Sequence, residues 1–462
     1  MKKQFFLIPI VGITLMCSDG GKTAEPIKPL PIQTEFAVTD FQSAETCNSC
    51  HPQHYAEWAA SMHAYSMQDP VWVNSQRGRQ AFYADQGKDP GYLCLPCHSP
   101  VGFLTQGIPD LANLTADAIT ALPAPIREGV TCDACHGLTH LPRSSSIDPA
   151  NGIFVGTEYN LYLDGTEYGR IDDPVDNEFH ASAYHPDYGK SEFCRNCHDL
   201  FIGGVGAEVT YTEWSGSAFD AMGMECQTCH MPEYSGQAAV NGPVRDNLHR
   251  HYFPGVDQAL IPDFPSKEEQ LAAIEDLMLN AAELHLVTSL DTIPVDTAIT
   301  LDFLVANLTG HNFPSSVTFV RQLWLDVAVI AGTDTVFRSG FLDDNLDIQD
   351  FHTDSTSLND PQLALFNTVL YNAAGDSGLH HLSVEELVAL SDYTLPTNGT
   401  RHASYQVDLT NVPAGDLTII ARLRLRAFPP FVLRANGLAD QAVTQPIFEI
   451  DQKQYSLHIQ GS

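Results

Sequence analysis

The sequence predicts a multidomain chain of 462 residues. A mainly α-helical and irregular domain spans 41–258, a connecting helix lies within 259–286, and an antiparallel β-sandwich of Ig-like type fills 287–462. Three observations predict this. All five copies of Cys-x-x-Cys-His fall between residues 47 and 230, in a stretch rich in Gly, Pro, Asp and Tyr that reads as loops and short helices. "PSKEEQLAAIEDLMLNAAELHL" (265–286) places Leu271, Ile274, Leu277 and Met278 on one helical stripe, with Ser266 and Glu269 as a capping box. From about 287, "TAITLDFLVANLTG", "RQLWLDVAVIAGTDTVFRSG", "RHASYQVDLT" and "DLTIIARLRLRAF" alternate apolar and polar residues between Gly, Asn, Asp and Pro turns. No cysteine follows Cys229.

The first forty residues read as an export signal and a tether. Lys2 and Lys3 precede the apolar run "FFLIPIVGITLM" (5–16), which is too short for a bilayer span of about twenty residues. Cys17 follows at once, so that 1–17 resembles a lipoprotein signal, although Leu15 and Met16 stand where small residues are usual. Residues 18–40 are a Gly/Pro-rich linker. The expectation is an exported protein, periplasmic, outer-membrane-anchored or extracellular, that meets the membrane only through a lipid on Cys17. Lys and Arg number 23 against 57 Asp and Glu, a net charge of -34. Nucleic-acid binding needs a basic face and is excluded by that balance; basic partners are favoured.

The cysteines carry the chemistry. Ten of the eleven form "CNSCH" (47–51), "CLPCH" (94–98), "CDACH" (132–136), "CRNCH" (194–198) and "CQTCH" (226–230). With 19 histidines in 462 residues, finding one after every pair by chance is about one in ten million. Structural zinc takes four ligands, usually from two knuckles, and five knuckles leave one over. A thioredoxin-like redox site needs one motif in a βαβ setting. A c-type haem needs two thiols for its two vinyl groups and a histidine under the iron, which is what each motif offers. The reading is therefore a multihaem domain with five covalent haems. They are anchored by Cys47/Cys50, Cys94/Cys97, Cys132/Cys135, Cys194/Cys197 and Cys226/Cys229, with His51, His98, His136, His198 and His230 as proximal ligands. At roughly 43 residues per haem, the haems themselves must serve as core.

A carrier haem takes a second ligand, so the remaining histidines matter. His63 lies on a predicted amphipathic helix with Tyr55, Trp58 and Met62 on one stripe. His140 follows the third motif by four residues. His180 and His185 precede the fourth motif, with His185 preferred; of His249 and His251, His251 is preferred. His311 in "GHNFPSS" completes the set, and His54 reads as a surface or supporting residue. Met231 adjoins His230 and cannot reach the far face of that haem; Met62, Met67, Met222 and Met224 read as packing. The acidic run "FLDDNLDIQD" (341–350) could hold Ca²⁺ but lacks an EF-hand glycine and terminal glutamate, which favours a solvated loop.

On these residues the chain resembles the multihaem c-type cytochromes, the large group that includes the tetrahaem electron carriers of ammonia oxidisers. The likeness rests on "CNSCHPQHYAEWAASMHAYS", "SEFCRNCHDLFIGG" and "TEWSGSAFDAMGMECQTCHMP". "HYFPG", "GHNFPSSVTFVRQLWLDVAV" and "ARLRLRAFPP" are similar to the C-terminal part of exported members. It covers most of the chain from residue 40, with gaps around 150–180 and 340–400. It implies His63, His251 and His311 as sixth ligands, the last reaching across the domain boundary. Pentahaem nitrite reductases share the haem count but use lysine in place of one motif histidine, and all five motifs here keep His. Hydroxylamine-oxidising relatives carry more haems. The expected function is electron transfer along closely packed, mainly bis-His haems, with other redox proteins as donor and acceptor. The alternatives are a reductase of a small nitrogen or sulfur compound at one open haem, and self-assembly into an extracellular filament.

Overall fold

The computed structural model describes residues 33–461 apart from 89–90, 93, 149–152, 156–158, 176, 290–291, 349–359 and 376–385. The expected signal segment, Cys17 and most of the linker lie outside the described residues.

The N-terminal part is made of short helices. Its longest, Pro70–Asp85, starts where Asp69 accepts a hydrogen bond from Val71 N at 2.9 Å and Pro70 takes the first helical position. The stripe expected to run from Tyr55 to His63 is two helices, Pro52–Ala59 and Met62–Tyr65. Ser61 restarts the helix by accepting from Ala64 N, which turns His63 away from the first helix. Phe41, Met67, Trp72, Leu95, Val101, Ile126, Leu138 and Leu161 form a core of their own around the second and third motifs. Small sheets join them, which the sequence did not announce. Strands Ile153–Val155, Ser145–Asp148, Leu200–Ile202 and Val205–Glu208 lie side by side in that order, and the middle pair is parallel. Strands of three or four residues carry too little alternation to be read. The hairpin Glu233–Gln237/Val244–His249 closes this part.

The connecting helix is shorter than expected, Lys267–Met278. Ser266 is left-handed, with φ 52°, and its side chain makes no cap bond, so the predicted capping box does not form. The helix gives way to strand Ala282–Leu286, which pairs antiparallel with Ala298–Asn307.

The C-terminal part is β-rich. Strands Ala282–Leu286, Ala298–Asn307 and Thr400–Asp408 make a three-stranded sheet. A six-stranded sheet is built on Gln322–Ala331, Gly415–Arg426 and Phe448–Gln460. Leu301, Phe303, Val305, Tyr405 and Val407 from the first meet Leu323, Leu325, Val327, Ile419 and Leu423 from the second in one apolar core. Period-two alternation puts those residues on one face. The sheet is not wholly antiparallel, because Ile293–Pro294 pairs parallel with Phe448–Gln460. On the acidic loop, Asp343 accepts from the backbone of Asn345 and Asp347, while Asp347 pairs with Arg434 and accepts from Phe431 N. Those carboxylates are engaged within the protein, and among the described residues no group of three His, Cys, Asp or Glu could hold a metal ion.

The two parts are locked together. Arg321, 4% exposed, makes two 2.6 Å bonds to Asp257. Glu213 accepts from Ser315 Oγ at 2.5 Å and from Asn312 N at 3.2 Å. No helix among the described residues is long and apolar enough to cross a membrane.

Candidate functional site

Each motif winds into one helical turn. His51 N donates to Cys47 O at 2.8 Å, His98 N to Cys94 O at 3.3 Å and His198 N to Cys194 O at 3.0 Å. Cys132–His136 and Cys226–His230 are helical throughout. A turn sets residues three apart on one face, so both thiols of a motif point the same way. None of the ten is in a disulfide. The motifs also pack on one another. The thiols of Cys47 and Cys132, of Cys97 and Cys197, and of Cys194 and Cys226 lie beside one another. The contacts run first motif to third, second to fourth, and fourth to fifth.

The motif histidines are held in one tautomer. Nδ1–H donates to a backbone carbonyl from His51 (Ala238 O, 2.7 Å), His98 (Ser66 O, 3.0 Å), His136 (Tyr168 O, 2.7 Å) and His230 (Pro254 O, 2.7 Å). A carbonyl only accepts, so the proton sits on Nδ1 and the Nε2 lone pair is free for a metal. Burial pushes His98 and His230 down to about 4, which keeps them neutral at pH 7. His198 differs. Its Nδ1 lies 3.8 Å from Glu208 Oε1. Burial opposes its charge, but the carboxylate of Glu208 beside it lifts it to about 9.

Four motif histidines face another histidine ring. Ring centres are 6.2 Å apart for His51 and His180, 6.5 Å for His136 and His251, 6.4 Å for His198 and His63, and 6.2 Å for His230 and His311. A metal–imidazole bond is about 2 Å, so two imidazoles on one iron have centres about 6 Å apart. Nδ1 of His180, His251 and His311 donates to Ala181, His249 and Asn312 carbonyls, again leaving Nε2 free. Burial pushes His63 to about 3 and holds His251 and His311 low as well. These features, free paired thiols, fixed tautomers and opposed rings, fit a c-type haem.

The sequence reading preferred His185, but the structure sets His180 at 6.2 Å from His51, with the ring of His54 at 6.4 Å as well. His185 lies among Tyr168 and Tyr188, and its Nδ1 accepts from Asp187 N at 3.3 Å, the reverse of the other tautomers. His140 is not brought to a motif histidine; its Nδ1 is 3.1 Å from Thr139 Oγ1. His54 gives Nε2 to Tyr234 OH at 3.0 Å, and its ring lies 4.6 Å from that of His251.

His98 is the exception. Its ring stacks on Trp72 at 4.8 Å and 12°, and no histidine ring stands opposite it among the described residues. Beside it is a cavity of about 120 Å³ lined by Met62, Tyr65, Asp69, His98, Asp257 and Phe428, among others. Burial pushes Asp69 up to about 7, Asp257's charge adds to this, and Arg321 opposes it. Tyr65 is also raised by burial.

Supporting residues escaped the sequence reading. Glu57, 2% exposed, accepts from Arg250 at 2.6 Å and from His251 N at 2.8 Å, and so orients the segment that carries His251. Gly129, at φ 73°, lies where a Cβ would come 2.3 Å from His63 O; Val130 N donates to that same oxygen at 3.0 Å. Only an acidic residue inside an apolar helical stripe hinted at Glu57.

Residues 46–137 match the family described as cytochrome c554 and c-prime, a span that contains the first three motifs. No curated protein matches the chain. Among solved structures, a penta-heme cytochrome c552 from Thermochromatium tepidum is similar over 91% of this chain and 100% of its own, with 20% identity and a TM-score of 0.59. At that identity the likeness shows a shared fold. Two further matches carry no argument: AvmM, which catalyses macrocyclisation in alchivemycin A biosynthesis, covers 40% of this chain and 90% of its own at 10% identity and TM-score 0.19. A family 123 glycoside hydrolase from Clostridium perfringens covers 39% and 27% at 6% identity and TM-score 0.16.

Proposed function

We propose that this chain, a multihaem c-type cytochrome, is an exported pentahaem electron carrier, with four haems held between two histidines each. The observation that carries the reading is the set of four histidine pairs at 6.2–6.5 Å. When bound, the haems supply one-electron chemistry. The residues supply the rest. Cys47/Cys50, Cys94/Cys97, Cys132/Cys135, Cys194/Cys197 and Cys226/Cys229 would anchor the groups, and His51, His98, His136, His198 and His230 would be their motif ligands. His180, His251, His63 and His311 would supply the second ligand at the first, third, fourth and fifth sites. The closeness of these cysteines sets the first site beside the third, the second and fifth beside the fourth, and, through Cys135 near Cys197, the third beside the fourth, which would keep neighbouring haems close enough for electrons to pass. Other redox proteins serve as donor and acceptor. Attachment of c-type haem outside the cytoplasm is consistent with export. The test is a haem count by alkaline pyridine absorbance combined with a reductive titration of the full chain. Five haems accepting five electrons per protein is the expected result; four or fewer would overturn it.

A second reading is favoured at one place. His98 has no opposed histidine among the described residues, and its neighbouring cavity holds Asp69, whose carboxyl burial pushes up to about 7. A small ligand could enter there, with Asp69 as a proton source. Met62, on the same cavity wall, is the soft donor that would instead close the site. Cyanide binding that is absent in wild type and appears in Met62→Ala would identify Met62 as the ligand.

A further inference from the structure

Twelve large apolar side chains are exposed among the described residues, and four of them fall close together. Phe179 (74%), Val244 (70%), Val240 (54%) and Val175 (53%) all lie on two segments, the loop 171–180 and the hairpin 233–249. Both segments frame the first motif. The hairpin tip gives Ala238 O to His51 Nδ1 at 2.7 Å, and Val240 N donates to Cys50 O at 2.8 Å. The loop ends in His180, opposite His51. Arg245 ties hairpin to loop by donating to Asp173 O at 2.7 Å and pairing with its carboxylate.

His180 is also the distal histidine whose hydrogen bonds lie at the exposed surface, donated by Nδ1 to Ala181 O and by N to Asn177 Oδ1. Around the apolar residues, Asp172, Asp173, Glu178 and Asp246 are exposed. The arginines of this face are paired with its own carboxylates. Arg245 is 14% exposed on Asp173, and Arg170 pairs with Glu233 and meets His249. An apolar centre with a rim of one charge sign is the anatomy of a transient interface, and weak electron-transfer contacts are small.

We propose that this face is the docking surface for a small basic redox protein, which exchanges electrons at the first motif. The inference rests on the carrier reading. The step is a single outer-sphere transfer: one electron leaves a ferrous partner haem and reduces the ferric haem on Cys47/Cys50, with no proton or atom exchanged. The acidic rim steers the partner, and the apolar centre excludes water once it has docked.

The test uses stopped-flow reduction of the oxidised full-chain holoprotein by a ferrous, lysine-rich monohaem cytochrome c as probe. The bimolecular rate constant is expected to fall steeply with ionic strength. Val244→Lys and Asp172→Lys, singly and together, should lower it at low salt, by about tenfold for the pair, and bring it near wild type at high salt. Val443→Lys, on the helix Ala439–Thr444, should leave it unchanged. The spectra of the variants, and their reduction by dithionite, should match wild type. Rates that ignore salt, variants that behave like Val443→Lys, or variants equally slowed toward dithionite would overturn the docking surface and leave the carrier reading standing. Failure of dithionite to reduce all the haems of wild type would overturn both.

Discussion

Replacing Glu208 by glutamine should raise the reduction potential of one haem by on the order of 100 mV. Glu208 is 7% exposed, its Oε1 lies 3.8 Å from His198 Nδ1, and Thr210 Oγ1 donates to that oxygen at 2.6 Å. The other four motif histidines give Nδ1–H to neutral carbonyls, so only the fourth site has a carboxylate behind its proximal ligand. Two unit charges 3.8 Å apart at an effective dielectric of about 20 interact by about 4 kcal/mol. An iron on Nε2 lies a ring's width further, which halves this to about 2 kcal/mol. For one electron, about 1.4 kcal/mol corresponds to 59 mV, hence about 90 mV. The sign follows from charge: a carboxylate favours the ferric state, so removing it favours the ferrous state. Glutamine keeps the shape and the acceptor for Thr210. A spectroelectrochemical titration followed by EPR at each potential resolves the shifted component. A shift below about 20 mV, or one downward, would refute the electrostatic role of Glu208.

Three further outcomes are expected. His311→Ala removes the ring opposite His230 and should add one cyanide-binding haem per protein, while Arg321–Asp257 keeps the two parts docked; unchanged cyanide stoichiometry would count against ligation across the boundary. Arg321→Met leaves Asp257 unpaired. Losing one member of a fully buried pair costs about 3–5 kcal/mol, and the 33% exposure of the Asp257 side chain brings this to about 2 kcal/mol, seen as a lower urea midpoint. Adding Asp257→Asn should recover part of the loss, and no recovery would mean the pair does not act as a charge lock. Asp69 is lifted to about 7 in the fold against an ordinary carboxyl near 4 in the unfolded chain. The native state therefore binds more protons through that window, and stability falls as pH rises across it. Asp69→Asn, which can still cap Val71 N, should match wild type at pH 4 and exceed it at pH 8; a difference that ignores pH would rule out the buried carboxyl as its cause.

What the sequence made legible was local. Cys-x-x-Cys-His encodes its own helical turn, and the alternation after 287 announced the β-rich part because strands of nine to thirteen residues repeat the pattern long enough to be read. What it hid was tertiary. His180 and His185 are five residues apart, and only the path of loop 171–180 across the first motif distinguishes them. Glu57 and Glu208 act on histidines 194 and 10 residues away, and nothing in either local pattern marks them. Ser266 has the composition of a cap without its backbone conformation. The missing partner of His98 could not be read from a chain with histidines to spare, because a surplus in sequence says nothing about which ring reaches which iron.

The central claim is that five covalent haems are present and that four are closed by histidine pairs. EPR and visible spectra of the oxidised full-chain protein, recorded with and without cyanide, test it most directly. The expected result is four low-spin haems that ignore cyanide and a single haem, that of His98, whose signal changes with it or shows a thioether ligand. Two or more haems that are high-spin and bind cyanide would contradict the four pairs and the closed carrier built on them.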